Sequence, residues 1–438
     1  MLKSFEKYLQ KKLPFLIDSP ILIAVSGGID SVVLTHLMQQ INTDCTIAHC
    51  NFKLRDEQSN LDEEFVKKLG TQVNFPVITT SFDTQKYAEK NNVSIQMAAR
   101  ELRYDWFEKI RKEHNFNYVL TAHHKDDALE TFLINFTRGT GLDGLTGIPE
   151  INGSIVRPLL SFSREDVLQY AKLNTIEWRE DQSNSSTKYF RNKIRHEIVP
   201  ILKELNPNLL KSFDKTTQNL SESKLLIDDR IRSLKKHVSY LDEKGNYKIS
   251  TKKILELKNP KAHLYELLKP YGFTAWKDIV DLLKAQAGKQ LFSKTHRLIK
   301  DRDELILTHF GGESEVGCLI YKNTSSIEKP IHLSISEEVT FTNSTKETAF
   351  IDKSLLKFPL TVRKWQKGDY FYPIGMQGKK KLSKYFKDEK LSILDKENTW
   401  LLCNADEIVW VIGKRLDNRY KTTNKTKQLL KIVYKPLK

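Results

Sequence analysis

Six consecutive residues constrain this chain more than any others: Ser26-Gly27-Gly28-Ile29-Asp30-Ser31, placed where the apolar run Pro20 to Val25 gives way to a helical pattern ending near Gln40. A strand that turns through two glycines straight into a helix is a phosphate cradle. Without Cβ atoms, the backbone N–H groups at 27 and 28 can approach an anion closely. The helix N-terminus adds partial positive charge suited to a pyrophosphate. Ser26 and Ser31 supply hydroxyl donors. Asp30 would repel phosphate unless a divalent ion stood between them, and Mg²⁺ prefers that mixture of carboxylate and phosphate oxygens. The pattern GxxxxGK[ST] is absent, so transfer of a γ-phosphoryl group is not implied.

Further strands are expected at Cys45 to His49, Gln72 to Thr80 and Tyr118 to Ala122. Helices are expected at Ser94 to His114, Asp127 to Thr137, Ser163 to Leu173 and Tyr189 to Leu205. Strands alternating with helices at this spacing predict a Rossmann-like α/β domain with a parallel sheet covered on both faces, and ligands beyond the carboxyl ends of its strands. The four-glycine stretch Gly139 to Gly147 reads as a loop. Pro207 marks the expected end of a catalytic domain at 1–207. A helical, lysine-studded middle domain follows at 208–310, closing in a hairpin from Gln290. Residues 311–348 read as linker or short strands, and 349–438 as a small α+β module.

Charge is unevenly distributed over the 438 residues. Of a formal net charge of +16, residues 351–438 carry +12, from 21 Lys plus Arg against 9 Asp plus Glu. A basic module of this kind suits a polyanion, because each neutralised phosphate releases condensed counterions. Lys379, Lys380, Lys381 and Lys384 with Tyr385 and Phe386 offer phosphate contacts and stacking surfaces. The four cysteines show no CxxC or zinc-ligand spacing, which favours a reducing cytoplasm over a disulfide framework. No stretch approaches the roughly 20 apolar residues of a membrane span, and charges interrupt the first 20 residues.

A second group of polar residues follows the Tyr118 strand: His123-His124-Lys125-Asp126-Asp127-Ala128-Leu129-Glu130-Thr131. Asp127 and Glu130 share a helical face at i and i+3. Asp127 can share a metal with Asp30 or orient an attacking amine, and a solvated acidic helix start fits the same residues equally well.

The glycine turn resembles the PP-loop of the N-type ATP pyrophosphatases, which split ATP between the α- and β-phosphates. Within that class, several segments resemble the tRNA(Ile)-lysidine synthetase family in order. They are Ala98-Ala99-Arg100-Glu101-Leu102-Arg103-Tyr104, His123 to Thr131 with Arg138 to Leu145, Arg157-Pro158-Leu159-Leu160, and Asp181-Gln182-Ser183-Asn184 followed by Arg191-Asn192-Lys193-Ile194-Arg195. In the basic module, Val362-Arg363-Lys364-Trp365-Gln366-Lys367-Gly368-Asp369, Pro373 to Met376 and Lys379 to Phe386 resemble the family's tRNA-binding domain. His49-Cys50-Asn51-Phe52 departs slightly from the family's usual form at Cys50 and Phe52.

The resemblance implies an enzyme that uses ATP and Mg²⁺ to join free L-lysine to carbon 2 of the wobble cytidine in the CAU-anticodon isoleucine tRNA. It implies ATP-binding roles for Ser26, Gly27, Gly28, Ile29, Asp30, Ser31 and Arg100, and a metal held by Asp30 and Asp127. Arg191 and Arg195 would stabilise phosphate charge, and His123, Asp127 or Glu130 would take a proton from lysine. Arg103, Arg363, Lys379, Lys380, Lys381 and Lys384 would contact tRNA. The assembly allowed for is a homodimer. A tRNA cytidine thiolase with the same loop is the alternative, and the absence of paired cysteines argues against it.

Overall fold

The computed structural model describes residues 1–180, 190–243, 245–309, 316–339 and 344–436. The chain divides into two compact units, Met1–Asp228 and Asp229–Lys438.

In the first unit the helices are α1 (Leu2–Lys12), α2 (Ile29–Gln40), α3 (Asp56–Val73), α4 (Thr84–Asn91), α5 (Ile95–Glu113), α6 (Lys125–Thr137), α7 (Leu142–Leu145) and α8 (Arg164–Leu173). After them come α9 (Phe190–Lys193), α10 (Val199–Leu205) and α11 (Leu209–Val238), which runs through the division between the units. The strands are β1 (Ile21–Ala24), β2 (Cys45–Asn51), β3 (Val77–Ser81), β4 (Tyr118–Leu120), β5 (Ile151–Asn152) and β6 (Ile155–Val156), in the order β3-β2-β1-β4-β6-β5. Every neighbouring pair is parallel except the β5–β6 hairpin at the edge. This is the α/β sheet expected from the sequence.

The central strand β1 is apolar along its length, with Ile21, Leu22 and Ile23 fully buried, because helices cover both sides of it. One core forms from β1, α2, α8 and the N-terminal helix, whose Phe5 and Leu9 face inward with Leu13 and Leu16 beyond them. A smaller core of Leu22, Ala48, Val119, Phe107 and Ile110 packs α5 against the other face. The topological switch lies between β1 and β4, where crossovers leave in opposite directions, and the crevice above their carboxyl ends is where ligands collect.

One element differs in its boundaries. The apolar run from Gln72 reads as a strand, yet Gln72 and Val73 complete α3, and the strand begins only at Val77. Asn74 adopts a left-handed conformation (φ 58°) that ends the helix and reverses the chain. The reversal is tight: a Cβ on Gly70 would stand 2.1 Å from Val77 Cγ2 and 3.0 Å from the Phe75 carbonyl oxygen.

The second unit carries antiparallel sheets. The middle region has helices at Thr251–Leu255, Pro260–Leu268 and Trp276–Leu282, together with a five-stranded sheet that contains the expected hairpin, His296–Asp301 against Glu304–His309. Residues beyond it form a two-sheet module. Cys318–Ile320 pairs with Leu360–Lys364, and His332–Glu338 pairs with Leu429–Lys435, so the stretch left open between linker and strands supplies strands to the C-terminal sheets. Val362, Leu402 and Trp410 from one sheet and Leu333, Ile351 and Ile432 from the other share a single core. Among the described residues no helix is long and apolar enough to cross a membrane.

Gly70→Ala should lower stability by about 1–3 kcal/mol through overpacking. The urea midpoint should fall while the far-ultraviolet circular dichroism spectrum stays native; an unchanged midpoint would mean Val77 yields freely.

Candidate active site

The glycine turn is braced by its own side chains. Ser31 Oγ donates to the Gly28 carbonyl (2.9 Å) and accepts from the Ser26 backbone N–H (3.2 Å), and the two serine hydroxyls lie 3.3 Å apart. Gly27 takes φ +92°, a conformation glycine adopts without strain. Its carbonyl accepts the Arg179 backbone N–H at 3.0 Å. Gly28 caps α2 from an extended conformation and no side chain caps that helix, so the first N–H groups of α2 remain for an anion. The Ile29 side chain belongs to the core, which leaves only its backbone facing the turn. Ser26 is exposed and Ser31 buried, which makes Ser31 mainly a brace.

The α6 start holds a dense polar cluster. His124 and Asp127 form a reciprocal cap: the His124 N–H donates to Asp127 Oδ2 (3.0 Å) and the Asp127 N–H to His124 Nδ1 (3.3 Å). His124 Nε2 then lies 3.8 Å from Asp30 Oδ1 and 3.4 Å from Asp127 Oδ2. The two aspartates singled out as a metal pair therefore meet around one buried imidazole. Arg164, at the start of α8, also pairs with Asp30, and its backbone N–H donates to Asp126 Oδ2 at 2.8 Å. Asp30 remains about 30% exposed and reachable from the crevice.

Arg191 and Arg195 converge on the same carboxylates. Arg191 donates through Nε to Glu130 (2.9 Å) and through Nη2 to Asp127 (3.1 Å). Arg195 donates through Nε to Glu130 (2.6 Å) and through Nη2 to Asp127 (3.0 Å). A π-helical turn over Ile194–Ile198 lies between α9 and α10, carrying Arg195 within this irregular segment. Glu130 is only 2% exposed, with both oxygens occupied by guanidinium groups, so it serves as an anchor for the arginines. Burial pushes the Asp127 carboxyl up, but His124, Arg191 and the backbone N–H outweigh this and hold it below its usual range. The Asp181 to Asn184 segment lies outside the described residues.

His123 stands apart from that network. Its Nδ1 lies 3.0 Å from Thr121 Oγ1, and no other hydrogen bond reaches its ring among the described residues. Burial, reinforced by Arg157, Arg191 and Arg100 against the opposing pull of Asp127, brings its pKa down to about 4, so the ring is neutral at pH 7. Arg100 is exposed, with its guanidinium carbon 4.9 Å above the Tyr104 ring, and Arg103 lies 5.1 Å above Phe52.

Three participants escaped sequence reasoning: His124, Arg164 and the latch made by Arg179. Arg179 reaches Asp62 and Gln58 from the far side of the glycine turn, and Asp62 also holds Arg55 at 2.8 Å. No local pattern marks residues 117 positions apart as partners. The only available signal was that Asp62 is an acidic residue on the buried face of α3.

In the second unit, Lys379, Lys381 and Lys384 are exposed, and Lys379 lies 5.3 Å above the exposed Tyr370 ring. Lys380 is held by Asp388 at 2.7 Å, and Arg363 makes a two-pronged pair with Asp369 at 2.8 and 2.9 Å. Arg363 thus braces the turn after its own strand. The stacking role expected of Tyr385 and Phe386 is corrected: both are core residues, 3% and 0% exposed, because the Leu382–Asp388 helix turns them inward. Tyr370 is the ring that faces solvent.

Cys45 and Cys50 are free thiols, each raised by burial to about 12, so neither is a thiolate at neutral pH.

A phosphate-cradling turn at a topological switch, faced by carboxylates and two arginines, defines a nucleotide-using enzyme of the PP-loop class, and the PP-loop domain model matches residues 1–202. The TilS substrate binding domain matches residues 242–310 and the TilS substrate C-terminal domain residues 360–433. The chain is 39% identical over 436 residues to the tRNA(Ile)-lysidine synthase of Parabacteroides distasonis, covering 98% of this chain and 99% of that one. It is 41% identical to that of Bacteroides thetaiotaomicron, covering 98% of each, and 36% identical to that of Porphyromonas gingivalis strain W83, covering 92% of this chain and 91% of that one. This chain belongs to the tRNA(Ile)-lysidine synthase family, a family of ATP-dependent ligases.

Two measurements test this geometry. Because His123 is depressed from 6.5 to about 4 in the fold, the unfolded chain binds more protons between those values. Stability is therefore lost as pH falls through that window and levels off below it. His123→Asn should remove this component, gaining roughly 1–3 kcal/mol on the parent between pH 7 and pH 4 in urea midpoints. Asp62→Asn should loosen the glycine turn by releasing Arg179. We expect the KM for ATP to rise roughly 3- to 10-fold, the worth of one ordinary hydrogen bond, with the KM for tRNA unchanged in steady-state assays.

Proposed function

We propose that this chain joins L-lysine to carbon 2 of the wobble cytidine of the CAU-anticodon isoleucine tRNA, so that the base pairs with A instead of G. The observation that carries this reading is the meeting of Asp30, Asp127, Arg191 and Arg195 beside an open helix N-terminus, in a chain with both TilS-type tRNA domains.

The chemistry follows from a poor leaving group. Direct attack of an amine at carbon 2 would have to expel the cytidine oxygen. In the first step that oxygen attacks the α-phosphorus of ATP, the bond to the β-phosphate breaks, and pyrophosphate departs. The glycine turn and the first N–H groups of α2 hold the departing diphosphate. Arg191 and Arg195, positioned by Glu130, stabilise the negative charge that builds on the α-phosphate. In the second step the lysine ε-amine attacks carbon 2 and AMP leaves with the former cytidine oxygen.

Asp30 and Asp127 stand beside the His124 ring, at 3.8 and 3.4 Å from its Nε2. Asp30, the more exposed of the two, would be the first to hold a Mg²⁺ that takes one or two carboxylates and completes its shell with phosphate oxygens and water. Such an ion would neutralise charge on the diphosphate. Free lysine is ammonium at neutral pH, with a pKa near ~10.4, so a base must accept its proton. Of the three candidates, His123 keeps one ring nitrogen without a hydrogen bond among the described residues, whereas Glu130 is taken by Arg191 and Arg195 and Asp127 by both arginines and the His124 N–H. Extrusion of the cytidine from the anticodon stack precedes both steps. The exposed Lys379, Lys381 and Lys384 supply phosphate contacts elsewhere on the tRNA.

Incubation with the tRNA transcript, ATP, Mg²⁺ and radiolabelled lysine should leave label on the tRNA. Asp30→Ala should cut pyrophosphate release by at least about 100-fold, the scale of losing one electrostatic contact in the transition state, while tRNA binding stays nearly intact. Full activity of that variant would remove Asp30 from the chemistry, and sulfur incorporation in place of lysine would point to a thiolase.

A further inference from the structure

The outer end of α6 carries a feature that the two chemical steps leave unused. Phe136 is 65% exposed and Phe190 46%, a large apolar surface to leave in water. Phe136 is held in place. Its ring is parallel to that of Phe132 (1° between planes, centroids 6.4 Å apart), which meets the buried Phe213 edge-on at 5.5 Å. Three rings therefore run from the core to the surface, and the outermost is presented on a rigid support. Arg138, the C-cap of α6 and itself exposed, places its guanidinium carbon 5.9 Å from the Phe190 ring. Phe190 directly precedes Arg191, whose guanidinium grips Asp127 and Glu130, so the patch and the proposed catalytic site are carried by the same two helices, α6 and α9.

We propose that Phe136, Phe190 and Arg138 form a stacking platform for an unpaired RNA base next to the one being modified. The inference rests on the reading that the substrate is RNA. Extruding one base from a loop deprives its neighbours of stacking, and an aromatic face restores it whatever the base, since every base has a π-face. Rings beside a guanidinium form the combination that receives a base together with its phosphate. An apolar protein partner would leave the Arg138 charge unanswered.

The test uses the full chain and two RNAs, the tRNA transcript and its isolated anticodon stem–loop. Phe136→Ala and Phe190→Ala should each weaken stem–loop binding and raise the KM for tRNA roughly 5- to 100-fold, the loss of one stacked base. The KM values for ATP and lysine, and the melting temperature, should stay within error. Phe136→Trp should bind as the parent does, while Phe136→Leu, apolar but without a π-face, should fail like the alanine variant. The salt dependence of binding should keep its slope in both alanine variants, since no phosphate contact is lost, and become shallower in Arg138→Ala. Parent-like binding by Phe136→Leu overturns the proposal, as does parent-like binding by both alanine variants. A parent that sediments as a dimer with Phe136→Ala as a monomer also overturns it, because the ring would then cover a second copy of the chain. A parent that binds the stem–loop but incorporates no lysine would sink the ligase reading and leave the platform standing on its binding result.

Discussion

The clasp of Arg191 and Arg195 on Glu130 and Asp127 is the interaction on which the rest of the site depends. Glu130 is almost wholly buried, and an unpaired carboxylate there would be costly. Two guanidinium groups meet both of its oxygens, fixing α9 and the turn after it against α6. Removing one partner of such a cluster typically costs ~3–5 kcal/mol, because a charge is left buried without an answer. The cluster thus links stability to chemistry: the side chains that anchor the segment are those proposed to stabilise charge on the α-phosphate.

Around that clasp, charge is graded. Asp127 is kept ionised by its arginines and His124, His123 is kept neutral by burial and surrounding cations, and Asp30 lies at the exposed edge. An ionised carboxylate and a neutral imidazole thereby share one crevice, which suits a reaction that both stabilises phosphate charge and removes an ammonium proton. The glycine turn contributes geometry more than charge. Its serines tie it internally, and Arg179, braced by Asp62, ties it from outside.

Much of the fold was legible because short-range rules govern it. The apolar run at Ile21 to Ala24, the two glycines and the helix to Gln40 announce strand, turn and helix by composition and period. The α6 carboxylates also fell on one face as their spacing required. The boundary of β3 was misread at Gln72 because an apolar run alone does not separate a helix end from a strand, and the left-handed Asn74 decides it. Tyr385 and Phe386 were misjudged for a related reason. A Lys-rich stretch with aromatics looks like an exposed binding surface until a helix turns its rings toward Phe371 and Leu401.

From sequence alone came the glycine turn as a phosphate cradle, the paired acids of α6 on one face and the basic charge of the C-terminal module, while the resemblance to a family added the expected roles of the acids and arginines. Those are properties of residue type and local spacing, which a linear chain displays. Tertiary structure decided the allocation of roles. It made Glu130 an anchor and left His123 free, put His124 between Asp30 and Asp127, brought Arg179 to Asp62 across the glycine turn, and committed Arg363 to Asp369. Each of those outcomes depends on burial and on through-space distance, quantities that come into existence only when the chain closes on itself.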